Sequence, residues 1–255
     1  MMNRLKGKTA IITGATAGIG YKTAELLTAE GVNIVITGRR DARLLEIKTD
    51  LESRFGVEVF TASFDIQDPE ACLEFVESLT KPIDILINNA GLAKGTDPVY
   101  EASFEDWDTM IDTNIKGLLY LTRLISPQMK ASNDGHIINV GSIAGHESYA
   151  GGVVYTATKH AVKAITESTK KDLHGTNVRV SMVSPGLVDT EFSEVRFRGD
   201  KEKADKVYQG MKPLVAEDIA EIIVFIANRP QHVNIMDTIV FPVAQSSANM
   251  VHRNE

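Results

Sequence analysis

Cysteine is almost absent. Cys72 is the only one in 255 residues, so no internal disulfide can form and no cysteine cluster can hold zinc or an iron–sulfur centre; a reducing, cytoplasmic setting is expected. Long apolar runs are missing too, and none approaches the ~18 residues that would span a bilayer. The opening MMNRLKGKTAIITGATAGIG places only a few apolar residues between a basic stretch and the first glycines, too few for an export signal. Positive charge is in deficit, with 27 Lys and Arg against 34 Asp and Glu and a net charge of -7. Nothing therefore steers the molecule as a whole toward nucleic acid or an anionic membrane, and neither is expected as a partner. The six histidines (His136, His146, His160, His174, His232 and His252) show no ligand spacing. No metal site is expected.

What is present suits a globular chain: 43% hydrophobic and 24% charged residues allow a sizeable core. Short runs rich in Ile, Val and Thr at 8–13, 33–37, 57–62, 83–87, 136–140, 179–183 and 238–241 read as strands buried on both faces. Between them, 19–30, 42–55, 69–79, 104–130, 153–174 and 218–227 repeat apolar residues every three or four positions, as helices do. Alternation of this kind requires crossover helices between parallel neighbours. The expected fold is α/β, a Rossmann-type doubly wound sheet of seven parallel strands with helices on both faces. No linker or repeat divides the chain, so 1–255 reads as a single dinucleotide-binding catalytic domain. One segment, about 185–214, breaks the alternation after a strand and contains Gly186, Gly199 and Gly210; it is the expected substrate loop and lid.

Between the first strand and first helix lies Thr13-Gly14-Ala15-Thr16-Ala17-Gly18-Ile19-Gly20. Such a loop lets backbone N–H groups and a helix N-terminus face a pyrophosphate, with Gly14, Thr16, Ala17, Gly18, Ile19 and Gly20 as the expected contacts. The second strand ends Thr37-Gly38-Arg39-Arg40, with no carboxylate to take a ribose 2′-hydroxyl. Two guanidiniums there suit a 2′-phosphate. The alternative, two solvated charges opening a helix, sets cations against the helix dipole; NADP is the expected cofactor. Asp65 and Ile66, just past the third strand, are placed to meet adenine, although Asp65 is equally natural as a turn residue. Asn88, in Asn88-Asn89-Ala90-Gly91 at the end of the fourth strand, is a further expected cofactor contact, against a plain turn.

Tyr155 and Lys159 stand four apart in a helical stretch and share a face. Ser142 follows the fifth strand, and Asn114 sits in an otherwise apolar helical stretch where a polar side chain needs a partner. Taken in order, TGATAGIG, NNAG, Asn114, Ser142, YTATK and PGLVDT resemble the motifs of the short-chain dehydrogenase/reductase family over residues 13–190. The resemblance implies hydride transfer between a nicotinamide and a carbinol or carbonyl carbon. Tyr155 would be the general acid/base, its pKa lowered from near ~10 by the Lys159 ammonium and an oxidised nicotinamide. Ser142 would hydrogen-bond the substrate oxygen, Asn114 would hold a water linking Lys159 to solvent, and Tyr155, Lys159, Val188 and Thr190 would contact the nicotinamide half.

The segments 184–210 and 231–252 resemble the subgroup of NADP-dependent 3-hydroxy acid dehydrogenases, which includes serine 3-dehydrogenases. That implies a small substrate such as serine, allo-threonine or 3-hydroxypropionate with its semialdehyde. Arg196 is the expected clamp for its carboxylate; pairing with Glu191 or Glu194 is the alternative. His146, with Glu147 and Tyr149, is expected beside the same pocket. A 3-oxoacyl or general ketone reductase, and an NADPH-sensing binding protein without turnover, stay open as other functions. The resemblance also implies a homotetramer joined through helices 104–130 and 153–174.

Overall fold

Seven parallel strands make one sheet in the computed structural model, which describes residues 3–254. In chain order the elements are β1 (Thr9–Ile12), α1 (Gly18–Ala29), β2 (Asn33–Gly38), α2 (Asp41–Phe55), β3 (Val59–Ser63), α3 (Pro69–Glu77), β4 (Ile85–Asn88), α4 (Phe104–Ile111), a π-helical turn (Asp112–Gly117), α5 (Leu118–Ser132), β5 (His136–Val140), a 3-10 turn (Ile143–Gly145), α6 (Val153–Asp172), β6 (Arg179–Pro185), β7 (Val188–Asp189), α7 (Glu191–Arg196), α8 (Lys201–Lys206), β8 (Leu214–Val215), α9 (Ala216–Ala227) and β9 (Asp237–Val240). The sheet order is β3-β2-β1-β4-β5-β6-β9. The chain winds outward from β1 to β3, then returns to the other side of β1 with β4. That reversal opens a crevice at the carboxyl ends of β1 and β4, where ligands of such sheets bind.

Alternation along each strand sends successive side chains to opposite layers. Ile12, Ile34, Ile36 and Ile87 pack with Leu27 of α1, Leu44 and Ile47 of α2, and Ile219 and Ile223 of α9. Ile11, Val35 and Leu86 face the other way, onto Phe75 of α3 and Leu121, Ile125 and Met129 of α5. Each fully buried aliphatic side chain contributes about 1.5–3 kcal/mol. Local signals set the ends: Asp68 accepts from the Glu70 and Ala71 N–H groups to open α3 ahead of its first-turn Pro69, and Gly56 at φ 65 closes α2.

Two expectations need correction. The segment 104–130 is not one uniform helix: the π turn interrupts it. A Cβ on Gly117 would stand 2.9 Å from the Ile66 side chain, and the widened turn carries Asn114 into the protein. The segment 185–214, expected as a loop, carries elements of its own. It folds into α7 and α8, and β7 pairs in parallel with β8, a tie between residues too far apart for periodicity to reveal.

Candidate active site

A cavity of about 470 Å³ lies over the carboxyl ends of β1 to β6. Its floor is the glycine loop. Gly14 and Gly18 have φ of 64° and 53°, a region that side chains disfavour. A Cβ at Gly20 would fall 2.4 Å from Asn89 Nδ2 and 2.5 Å from the Gly14 carbonyl oxygen. The loop is pinned to the end of β4 because Thr13 Oγ1 accepts from the Asn89 and Ala90 N–H groups at 3.0 and 2.8 Å, and Asn89 Nδ2 donates to the Thr13 carbonyl at 2.8 Å. Helix α1 opens without a side-chain cap or an acidic residue in its first turn. Its first N–H groups and the positive end of its dipole thus face the cavity, where an anion is favoured.

Gly14, Thr16, Ala17, Gly18 and Ile19 line the cavity as expected, and so do Arg39, Arg40, Asp65 and Ile66. Arg40 donates to Thr16 Oγ1 from Nε at 3.1 Å and Nη2 at 2.8 Å, while its Nη1 lies 3.1 Å from Glu191 Oε2. Arg39 lies 3.7 Å from Asp65, whose other oxygen accepts from the Gln67 N–H. Asp65 is therefore a turn residue and a cavity residue together.

At the other end of the cavity, Ser142, Tyr155 and Lys159 converge with Val188 and Thr190. Lys159 reaches back from α6 to donate to the Val140 carbonyl at 2.9 Å, with its Nζ 6.0 Å from the Tyr155 ring centroid. Burial pushes its pKa down to about 8. The protein's own residues act in the opposite sense to the lowering expected with an oxidised nicotinamide bound: burial, then the neighbouring Tyr149, push Tyr155 up to about 12 against the Ser142 hydrogen bond and the Arg196 charge. Desolvation of a phenolate outweighs the nearby donors. Ser142 Oγ also accepts from the Ala144 N–H at 3.1 Å, which fixes it at the start of the 3-10 turn.

Four expected residues stand off the cavity wall. Asn88 is buried in the layer behind it, donating to Thr122 Oγ1 at 3.1 Å and Asn139 Oδ1 at 2.9 Å; strand alternation turns it away, and Asn89 faces the cavity instead. Gly20 shapes the loop from beneath. Asn114 holds the Leu92 backbone, accepting its N–H and donating to its carbonyl, both at 2.8 Å, and donates to Thr158 Oγ1 at 3.1 Å. The absent side chain of Gly91 leaves open a point 3.3 Å from Asn114 Oδ1 and 3.5 Å from Lys159 Nζ. His146 is carried past Ser142 by the 3-10 turn toward β6 and β9, where Nε2 lies 3.1 Å from Ser184 Oγ and 3.5 Å from Asp237. Burial lowers its pKa.

Arg196, at the end of α7, lines the cavity. It pairs with neither Glu191 nor Glu194. It donates to the Tyr149 hydroxyl at 2.9 Å and the Gly95 carbonyl at 3.3 Å, and its guanidinium carbon lies 5.6 Å from the Tyr155 ring centroid. The wall is completed by Phe192, Tyr208, Gln245, Ala248 and Asn249, which spacing alone did not mark. Gln245 is held there by the Leu187 N–H, which it accepts at 2.8 Å.

Among the described residues, no group of three or more metal-ligating side chains comes together, and no helix is long and apolar enough to cross a membrane. A short chain dehydrogenase family model matches residues 8–201. The NADP-dependent 3-hydroxy acid dehydrogenase of Schizosaccharomyces pombe is 47% identical over 258 residues, 100% of each chain. The enzyme of that name, YdfG, from Escherichia coli K12 is 48% identical over 248 residues, 95% of this chain and 98% of its own. Among solved structures, the closed form of serine dehydrogenase complexed with NADP+ superposes with a TM-score of 0.90 and 47% identity, covering 96% of this chain and all of the other. Serine dehydrogenase from Escherichia coli follows at a TM-score of 0.80 and 41% identity, over 93% of this chain and 99% of its own. With its fold, its glycine loop and its Ser142–Tyr155–Lys159 cluster in common order, the chain belongs to the short-chain dehydrogenase family.

Proposed function

We propose that this protein is an NADP-dependent oxidoreductase that interconverts a small 3-hydroxy acid and its carbonyl form, with serine, allo-threonine and 3-hydroxypropionate as the substrate type. The observation that carries the substrate class is Arg196. Among the described residues it makes no ion pair, whereas the other two cavity guanidiniums, Arg39 and Arg40, each have a carboxylate. A cation without a counter-charge beside the reacting tyrosine suits a small carboxylate ligand.

The residues fit the dinucleotide. The loop from Gly14 to Gly20 and the uncapped start of α1 would hold the pyrophosphate, Arg39 and Arg40 the 2′-phosphate, Asp65 and Ile66 the adenine, and Val188 and Thr190 the nicotinamide amide. When bound, the nicotinamide supplies the hydride donor or acceptor. In the reducing direction Tyr155, protonated at neutral pH, donates its proton to the carbonyl oxygen as hydride arrives at carbon. Ser142 donates a hydrogen bond to the same oxygen and fixes its distance. In the oxidising direction Tyr155 takes the proton back, which requires added positive charge nearby to bring its pKa down. Lys159 and the oxidised nicotinamide would supply that charge, and Lys159 would also hold the nicotinamide ribose. Asn114 holds the water that links Lys159 to solvent, in the opening beside Gly91.

An absorbance assay at 340 nm with L-serine, D-serine, L-allo-threonine and 3-hydroxyisobutyrate, each with NADP or NAD, tests reaction, cofactor and substrate together. Turnover with NADP and at least one of these acids is the expected result. Strong preference for acetoacetyl thioester over malonic semialdehyde in NADPH oxidation would replace the hydroxy-acid reading with a 3-oxoacyl reductase, and tight NADPH binding without turnover of any compound would point to a sensor. Residues 1–255 act as one catalytic unit in the cytoplasm and assemble as a homotetramer. Phe104, Leu119 and Val153, exposed at 75%, 40% and 49% on α4, α5 and α6, support that assembly. A solution mass of a single 27.9 kDa unit would overturn it.

A further inference from the structure

We propose that Glu191 is a third determinant of dinucleotide choice, acting from the lid against the 2′-phosphate. The inference rests on the NADP reading above.

Arg40 is shared between two parts of the molecule. Two of its nitrogens bind Thr16 in the glycine loop, and the third lies 3.1 Å from the carboxylate of Glu191, the first residue of α7. Thr190, one residue earlier, rests on the same loop: a Cβ added to Gly18 would stand 3.4 Å from the Thr190 side chain. Thr16, Gly18, Arg39, Arg40, Thr190 and Glu191 all line the cavity. The start of the lid is therefore docked on the adenosine half of the site, and its latch is the guanidinium that a 2′-phosphate needs.

A phosphate monoester carries more than one negative charge at neutral pH. Brought to Arg39 and Arg40, it competes with the Glu191 carboxylate for Arg40 or sits beside it at the cost of like-charge repulsion. A neutral ribose hydroxyl does neither. Glu191 thus weakens binding of the phosphorylated dinucleotide selectively, and arrival of the phosphate exchanges the contact that holds α7. Glu194, three residues along the same helix, makes no ion pair among the described residues and serves as the control.

Calorimetric titration of the full chain tests the first consequence. Glu191→Gln is expected to tighten NADPH about two- to fivefold, the scale of a half-exposed ion pair, with NADH left nearly unchanged and Glu194→Gln moving neither. Weaker NADPH binding, or an equal shift for both dinucleotides, would overturn the proposal. The second consequence is read without any nicotinamide. Limited trypsin digestion of the lid, which carries Arg196, Arg198, Lys201, Lys203 and Lys206, should speed up with Glu191→Gln, and in the wild type with 2′,5′-ADP but not with 5′-AMP. If 2′,5′-ADP binds and the cleavage rate stays constant, the Glu191 proposal fails while the NADP reading stands. If 2′,5′-ADP binds no better than 5′-AMP, the NADP reading fails and takes the proposal with it.

Discussion

The Arg196 guanidinium donates an N–H to the Tyr149 hydroxyl over 2.9 Å, joining the end of α7 to the loop that precedes α6. Its Nε also donates to the Gly95 carbonyl in the loop after β4 at 3.3 Å, and the Gly95 N–H donates back to the Arg196 backbone carbonyl at 2.9 Å. Three segments distant in sequence thus hold one cation beside Tyr155.

If that cation binds the substrate carboxylate, Arg196→Ala should raise KM for 3-hydroxy acids by about 10- to 100-fold, the value of a charged hydrogen bond of about 1.5–3 kcal/mol. Tyr149→Phe should give a smaller rise, since the guanidinium stays but loses its support. Steady-state kinetics with L-serine or 3-hydroxypropionate decides the matter. An unchanged KM in Arg196→Ala would reduce Arg196 to a packing and lid residue.

Tyr155→Phe keeps the ring against Phe192, which lies 5.6 Å away between centroids, and removes only the hydroxyl. Loss of a positioned general acid costs about 10²- to 10⁴-fold in rate. Turnover should fall on that scale while NADPH binding, followed by fluorescence titration, stays near wild type. Activity within a few-fold of wild type would mean that another group carries the proton.

The sign of the Lys159 effect follows from its depressed pKa. The folded protein loses this proton near pH 8, whereas the unfolded chain keeps it up to the ordinary value of 10.5. Below pH 8 the buried ammonium opposes folding; between pH 8 and 10.5 the native state binds fewer protons than the unfolded one, so this group's contribution to stability rises with pH, by about 3 kcal/mol in all. Lys159→Met should be free of that slope. Urea unfolding of both proteins at pH 7 and pH 10 provides the comparison, and parallel changes would show that Lys159 is not buried as a cation. The rate of carbonyl reduction should also fall above pH 8 as the ammonium is lost, and in Lys159→Arg that fall should move upward.

Glycines at two positions should respond differently to alanine. At Gly20 a Cβ meets Asn89 and the Gly14 carbonyl, so Gly20→Ala should cost about 1–3 kcal/mol from overpacking and weaken dinucleotide binding by shifting the loop. Gly56 has a φ of 65 with nothing within 4 Å, so Gly56→Ala should cost only the left-handed backbone penalty of about 1–2 kcal/mol and leave binding intact. Thermal unfolding together with NADPH titration separates the two. Unaltered binding in Gly20→Ala would show that the loop does not depend on this contact.

Much of this architecture is legible in the residue order, because periodicity and loop chemistry are local. Buried β-branched runs joined by amphipathic segments allow only a parallel, covered sheet, and a glycine loop that opens a helix is an anion site through its own backbone. Arg39 and Arg40 stand at the end of β2, and Tyr155 and Lys159 share one face of α6, by spacing alone. Tertiary packing decided the rest. It turned Asn88 into the core and Asn89 to the cavity, took His146 away to Ser184 and Asp237, and brought Gln245 from the tail onto Leu187. It paired Arg40 with Glu191 and, among the described residues, left Arg196 without a carboxylate. It also buried Tyr155 deeply enough that the protein's own residues raise its pKa. Periodicity tells a side chain which layer it enters; only the folded chain determines which distant group meets it there and how much water is excluded.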